Sequence, residues 1–244
     1  WGRCVLLFIF ASMLIIVVYY QATSGNTGFE RFMDSQSYGV KFFFTALGVI
    51  LGYCMETIFR CVAIISPYLK LRDEPLIADR SIILSPPTNA FYGIWSAYKQ
   101  RHLYFGFLSS VTLLAELGLP VTLSHVPFSA TETYLTGVVC AWATVAILGL
   151  MIISIIWSFF IRWPHMPVDP RTIAGALFYV CDSWMLESLE GMSTLSKDAR
   201  NRSVRFMGHK YDYGMIHGMS GKGRVGFDVV DVDGKDEESA DGGG

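Results

Sequence analysis

The chain has 244 residues, of which 52% are apolar and only 16% charged; its mean hydropathy is +0.40, whereas soluble domains carry about a quarter charged residues. A formal net charge of −2 excludes a basic nucleic-acid binder, and the scarcity of charge together with many aromatics excludes a disordered chain. The class left is an all-α polytopic membrane protein whose first partner is the lipid bilayer. The five cysteines (Cys4, Cys54, Cys61, Cys140, Cys181) lie in apolar runs without CxxC spacing and read as small packing residues.

A bilayer span needs about 20 mostly apolar residues. The first such stretch covers 4–20, with Arg3 before it and Tyr19-Tyr20 at its end as interfacial anchors. It is longer than a signal peptide's apolar core and no small-residue cleavage site follows closely, so it reads as an anchor. The opening Trp1, in place of Met, suggests a chain cut from a longer one. The second span is expected over 41–65, ended by Ser66-Pro67-Tyr68. The segment 66–102 follows as a cytoplasmic loop, with 69–84 irregular along the membrane face. Within it, 88–102 is expected as an interfacial helix: Thr88 or Asn89 caps it, and Phe91, Ile94, Trp95 and Tyr98 fall on one face, suited to lying in the headgroup layer. Spans three and four are expected over 103–124 and 134–161, the last closed by Arg162 and Trp163. Backbone groups in lipid must be satisfied within the segment, which makes all four helices.

Beyond the fourth span, Asp169 and Pro170 suit a helix start, and Ile173, Leu177, Val180, Cys181, Trp184 and Met185 recur at helical spacing. An amphipathic helix over 169–191 is expected. The tail over 203–232 is glycine-rich, with a turn near 219–223 between two short strands, and reads as a small cytoplasmic β-hairpin. The acidic, glycine-ended 233–244 reads as disordered.

Lysine and arginine alternate between loops. The segment 21–40 holds Arg31 alone and 125–133 holds none. By contrast, 67–102 holds Lys70, Arg72, Arg80, Lys99 and Arg101, and the region after the fourth span holds Arg162, Arg171, Lys197, Arg200, Arg202, Arg205, Lys210, Lys222, Arg224 and Lys235. The positive-inside rule then places both termini and the long loop in the cytoplasm. It does not identify the membrane, the plasma membrane being one candidate.

Motifs for chemistry are missing. Around Lys222 the Walker pattern fails, since position 216 is Ile and position 223 is Gly. The five histidines have neither HxxxH nor HExxH spacing, and GxSxG is absent. No cofactor, metal or catalytic residue is assigned, and the chain is read as a non-enzyme.

Inside the spans the signal is different. Gly48, Gly52, Glu56 and Arg60 recur every four residues, on one helical face. Gly48 and Gly52 make a GxxxG pair that admits a helix partner at close range. Glu56 and Arg60 are costly in lipid, about 2.5–3.5 kcal/mol each at mid-bilayer on insertion scales, and are expected to pair. Glu116 lies in the third span near Ser109 and Thr112, with Gly118 and Pro120 after it as a helix break. A rise of 1.5 Å per residue puts it about 12 Å deeper than Arg60, leaving it alone.

The run Ser66-Pro67-Tyr68-Leu69-Lys70-Leu71, the charged loop after it, Arg101-His102 entering a span, Asp169-Pro170, and Tyr213-Gly214 through Arg224-Val225-Gly226 resemble fungal multi-pass membrane proteins that share a domain of unknown function. The resemblance reaches from about Phe42 to Asp228. It implies a larger protein with the domain repeated, and carries no activity, ligand or catalytic residue. The function expected is structural or interaction-based; the alternative is a transporter or channel subunit using Glu56, Arg60 and Glu116.

Overall fold

A computed structural model describes residues 2–22, 28, 33, 38–73, 75–78, 87, 89–100, 102–127, 134–164, 166–217, 219 and 221–230. The chain is mostly helical, with four helices long and apolar enough to cross a membrane and a small antiparallel β-hairpin. These helices are α1 (Gly2–Ala22), α2 (Tyr38–Asp73), α4 (Leu103–Ser124) and α5 (Tyr134–Phe160), with the shorter α3 (Ala90–Gln100) before α4. The C-terminal part contains α6 (Ile173–Val180), α7 (Met185–Ser188), a 3₁₀ turn (Met192–Thr194) and α8 (Lys197–Met207). Strands β2 (Lys210–His217) and β3 (Gly223–Val230) pair antiparallel, and β1 (Leu76–Ile77) adds to β2.

Two compact units divide the chain: Trp1–Val62 with Pro87–Arg162, and Ala63–Pro86 with Trp163–Gly244. In the first, α1 buries Phe10, Met13 and Val17, a stripe at helical spacing, and the Arg3 guanidinium donates to the Ser158 carbonyl of α5 at 3.3 Å. Tyr104 of α4 stacks edge-on with Trp157 of α5 (centroids 5.6 Å). Hydroxyls within the helices donate to carbonyls of their own preceding turn: Ser109 to Phe105 at 2.7 Å, Thr112 to Leu108 at 2.8 Å and Thr144 to Cys140 at 2.9 Å. That arrangement leaves no hydroxyl proton unsatisfied at those apolar positions.

The second unit is built on aromatics. Tyr68 meets Tyr179, Tyr213 and Phe227 with centroids at 5.8, 5.5 and 4.9 Å, and Leu71, Met185, Val204 and Tyr211 extend this core. A polar link ties the turn before α7 to the sheet: the Ser183 hydroxyl donates to the buried Asp228 carboxylate at 3.0 Å, an oxygen that also accepts from the adjacent Val229 amide within β3 at 2.9 Å. Gly226 is obligatory here, because a Cβ would sit 2.7 Å from the Tyr179 carbonyl.

Several expectations are corrected. Helix α2 does not stop at Pro67 but runs on to Asp73; burial of Leu71 and the Tyr68 contacts within the second unit outweigh the hydrogen bond that Pro67 cannot make. The supposedly irregular 69–84 contains the end of that helix and β1, whose Leu76 lies opposite Tyr211. The single amphipathic helix over 169–191 is two short helices. Thr172, not Asp169, caps the first, its hydroxyl accepting from the Gly175 amide at 3.0 Å, and Asp182 at φ 69° ends the helical path before α7. Asp169 instead binds Arg171 (Nη2–Oδ2 2.7 Å), and that guanidinium holds its carboxyl below the ordinary value. The hairpin begins at Lys210, since 197–207 is helical, closed by a Ser196 cap and by Gly208 at φ 68°. The acidic 233–244 lies outside the described residues, as do Arg31, Arg80 and Thr88.

Burial raises the Tyr211 and Tyr213 hydroxyls above the ordinary phenol value, Tyr213 further through Tyr179 and Tyr68. The folded unit therefore keeps both neutral at a pH where the unfolded chain ionises them. Their contribution is fully present below about pH 10 and is lost as pH rises through the folded values. Near-UV circular dichroism of the full chain is expected to show lower resistance to denaturant at about pH 11 than at about pH 8, with a smaller loss in Tyr213→Phe. Among the described residues the buried Tyr211 hydroxyl has no hydrogen-bond partner, so Tyr211→Phe is expected to slow hydrogen exchange in β2 and β3 at neutral pH, by about 1 kcal/mol of added stability.

Candidate functional site

Helices α2 and α4 meet backbone to backbone. A Cβ at Gly48 would lie 2.8 Å from the Pro120 Cα and 2.9 Å from the Leu119 carbonyl, and one at Gly52 would lie 3.2 Å from the Ala115 carbonyl and 3.4 Å from the Glu116 Cα. Only residues without a side chain allow that approach. Four residues forward on α2 correspond to four back on α4, so the helices run antiparallel. Further along the same seam, Phe59 stacks on Phe105 with centroids 5.5 Å apart and rings 17° from parallel. The face offered to a helix partner is thus occupied by α4 of the same chain.

Glu56 and Arg60, one turn apart on α2, form an ion pair in which the guanidinium donates to the carboxylate. Their side chains are 24% and 61% exposed respectively, so the pair lies on the outside of the bundle rather than in its interior. Glu116 is half-buried and level with Gly52. The seam's register sets it about 6 Å along the axis from Glu56 and about 12 Å from Arg60. The offset from Arg60 is the one expected, and Arg60 is paired with Glu56 within α2; what links Glu116 to that pair is a longer-range electrostatic interaction.

No break follows Glu116: α4 remains helical through Gly118 and Pro120 to Ser124. Gly118 is held by α5, where a Cβ would come 2.8 Å from Ile147 Cδ1. Pro120 has no N–H, which removes the usual helical donor to the Glu116 carbonyl; the Thr122 hydroxyl donates to the Gly118 carbonyl at 2.9 Å. Among the described residues no group of three or more His, Cys, Asp or Glu side chains is placed to hold a metal ion.

Residues 38–128 match a family described as "Protein of unknown function (DUF3433)". The match contains α2, α3 and α4, and hence the whole glycine seam with Glu56, Arg60 and Glu116. It stops short of the C-terminal strands, where the resemblance in sequence had extended. No curated protein and no solved structure matches the chain.

Sequence reasoning identified Gly48 and Gly52 but not the surface receiving them. Leu119-Pro120 presents backbone, which carries no motif. Nor did it single out Phe59, Phe105 or Gly93, which carry no motif of their own. Gly48→Ala must push α2 from α4, and is expected to lower the thermal stability of the detergent-purified protein by about 1–3 kcal/mol. Gly149→Ala in α5 meets nothing within 4 Å and is expected to leave stability unchanged or raise it by at most about 1 kcal/mol. Equal effects of the two changes would mean the seam is not a close contact.

Proposed function

We propose that the chain is an integral, multi-pass membrane protein with a structural or interaction role. Its spans are α1, the first part of α2, α4 and α5, and both termini and the segment between α2 and α4 face the cytoplasm. The observation carrying this reading is the α2–α4 contact at Gly48 and Gly52, which brings backbone against backbone at the level of Glu116. A contact that tight builds a fixed scaffold. The exposed Glu56–Arg60 pair neutralises charge at the bundle's outer surface.

The basic residues after the fourth span support the orientation. In α8 they gather on an exposed surface: Lys197, Arg200, Arg202 and Arg205 are exposed and Asp198 is the one acid between them. Phe206 beside them is 95% exposed. This chemistry suits anionic lipid headgroups.

A transporter or channel subunit is the second reading, supported by the proximity of Glu116 to Glu56 and Arg60 and by the carbonyl that Pro120 leaves without its helical donor. Two measurements separate them. With a structural role, the reconstituted chain shows no proton flux that Glu116→Gln alters, and Gly52→Leu abolishes recovery of monodisperse protein. A pH-dependent flux lost in Glu116→Gln would establish the second reading and remove the first. Orientation is tested at Asn201-Arg202-Ser203, an N-glycosylation acceptor sequence: expression in a eukaryotic secretory system is expected to leave it unmodified, and an endoglycosidase-sensitive glycan would invert the topology.

A further inference from the structure

We propose that α3 and α4 form a re-entrant hairpin, in which α3 is a half-helix standing inside one leaflet with its aromatic side against lipid. The proposal rests on the membrane reading above and replaces the expected interfacial helix lying flat in the headgroup layer.

The pairing of α3 with α4 fixes its direction. A Cβ at Gly106 would lie 3.3 Å from the Ala97 Cβ, and one at Gly93 would lie 2.7 Å from the Ser109 hydroxyl and 2.8 Å from the Phe59 ring. Moving back along α3 thus moves forward along α4, and the tight turn at His102, whose amide donates to the Ala97 carbonyl at 3.1 Å, joins two antiparallel helices. If α4 crosses the bilayer, α3 points into it alongside. Eleven residues at 1.5 Å each reach about 16 Å, roughly half of a hydrocarbon core about 30 Å thick.

The faces of α3 are reversed relative to a helix on a soluble protein. Ala90, Gly93, Ser96 and Ala97 are buried, while Phe91, Tyr92, Trp95 and Tyr98 are 73, 53, 64 and 82% exposed. Small residues inside and large aromatics outside is the arrangement of helices packed within lipid. In water the same four rings would form an exposed apolar patch of the kind soluble monomers avoid.

Charge placement supports the same geometry. Arg80 and Lys99 bracket 18 residues without a single charge, and Arg101 follows at once. Along α3 itself no charge precedes Lys99, so nothing in 90–98 opposes placing the helix in hydrocarbon. The inner end of α3 also supplies its own acceptors: the Asn89 side chain accepts from the Tyr92 amide at 3.0 Å, and its carbonyl from the Gly93 amide at 2.9 Å. Donors at that depth have no water to turn to.

The test is a depth measurement on the full chain in lipid nanodiscs. Its five native cysteines are replaced by alanine, and nitroxides are attached singly through Phe91→Cys, Trp95→Cys, Tyr98→Cys and, as reference, Leu114→Cys, the side chain of Leu114 being exposed on α4. Relative accessibility to oxygen and to a water-soluble nickel chelate reports depth. The hairpin predicts depth rising from position 98 through 95 to 91, by about 10 Å over seven residues. Equal, shallow depths at the three positions, or nickel access at all of them with position 114 protected, would overturn the hairpin while leaving the spans intact. Nickel access at position 114 as well would overturn both the hairpin and the membrane reading beneath it.

Discussion

Backbone amides and carbonyls in hydrocarbon have no water to bond to, so spanning segments must be helices, and helices there gain nothing from excluding water when they associate. What brings them together is the closeness of contact that their side chains permit. In the first unit that closeness is set at Gly48 and Gly52, where α2 lies directly on the backbone of α4. The antiparallel register fixed there determines the rest. It places Glu116 beside Gly52, brings Phe59 onto Phe105, and through Phe59 and Ser109 defines the slot that only a glycine, Gly93, can enter from α3. Three helices are thus located by three glycines. The charged residues ride on that register and do not create it, since Glu56 and Arg60 satisfy each other within one helix.

The second unit obeys a different rule. Its core is a cluster of rings around Tyr68, Tyr179, Tyr213 and Phe227, and its strands are short. A two-stranded hairpin is marginal by itself. Here it is held by β1 on one side and, from the α6–α7 segment, by Ser183 bonded to Asp228 and the Met219 amide donating to the Asp182 carbonyl at 3.0 Å. The positive φ of Asp182 turns the chain so that the carbonyl and the neighbouring hydroxyl both serve the hairpin, which explains why one continuous helix over 169–191 is not formed.

Much of this was legible in the sequence because the signals are local. Mostly apolar runs of span length mark four helices, a four-residue spacing joins Glu56 to Arg60, and glycines flank the two final strands. The signals for α8 were equally local, a serine at 196 and a glycine at 208 around a basic run, but its polarity hid a helix that buries only Val204. Other features are not local at all. Two residues of β1 become a strand because Tyr211 and Lys210 stand opposite them, and Pro67 is carried inside α2 because Leu71 beyond it is buried. Periodicity in α3 separates an aromatic face from a small one, but it cannot say which face meets protein. In water the rings would turn inward; against Gly106 and Ser109 the small residues do, and the inversion shows only when α4 is in place.

That inversion bears on what Glu116 can be. A carboxyl that moves protons or cations through a bundle needs a path past the neighbouring helices, commonly opened where a span is interrupted. Helix α4 is uninterrupted at Gly118 and Pro120, and on the side of Gly52 the approach to Glu116 is filled by backbone. Charge near it is shared with Glu56 and Arg60, whose exposed pair lies toward the end of α2 where Phe59 meets α3. The short helix α3 has no charged residue of its own between Ala90 and Tyr98, so that stretch brings no counter-ion to the acid. The close approaches are made by glycines, on backbone at Gly48 and Gly52 and on side chains at Gly93, Gly106 and Gly118, a packing that resists separation of the helices, and it is on this packing, not on the absence of a motif, that the proposed scaffold reading rests.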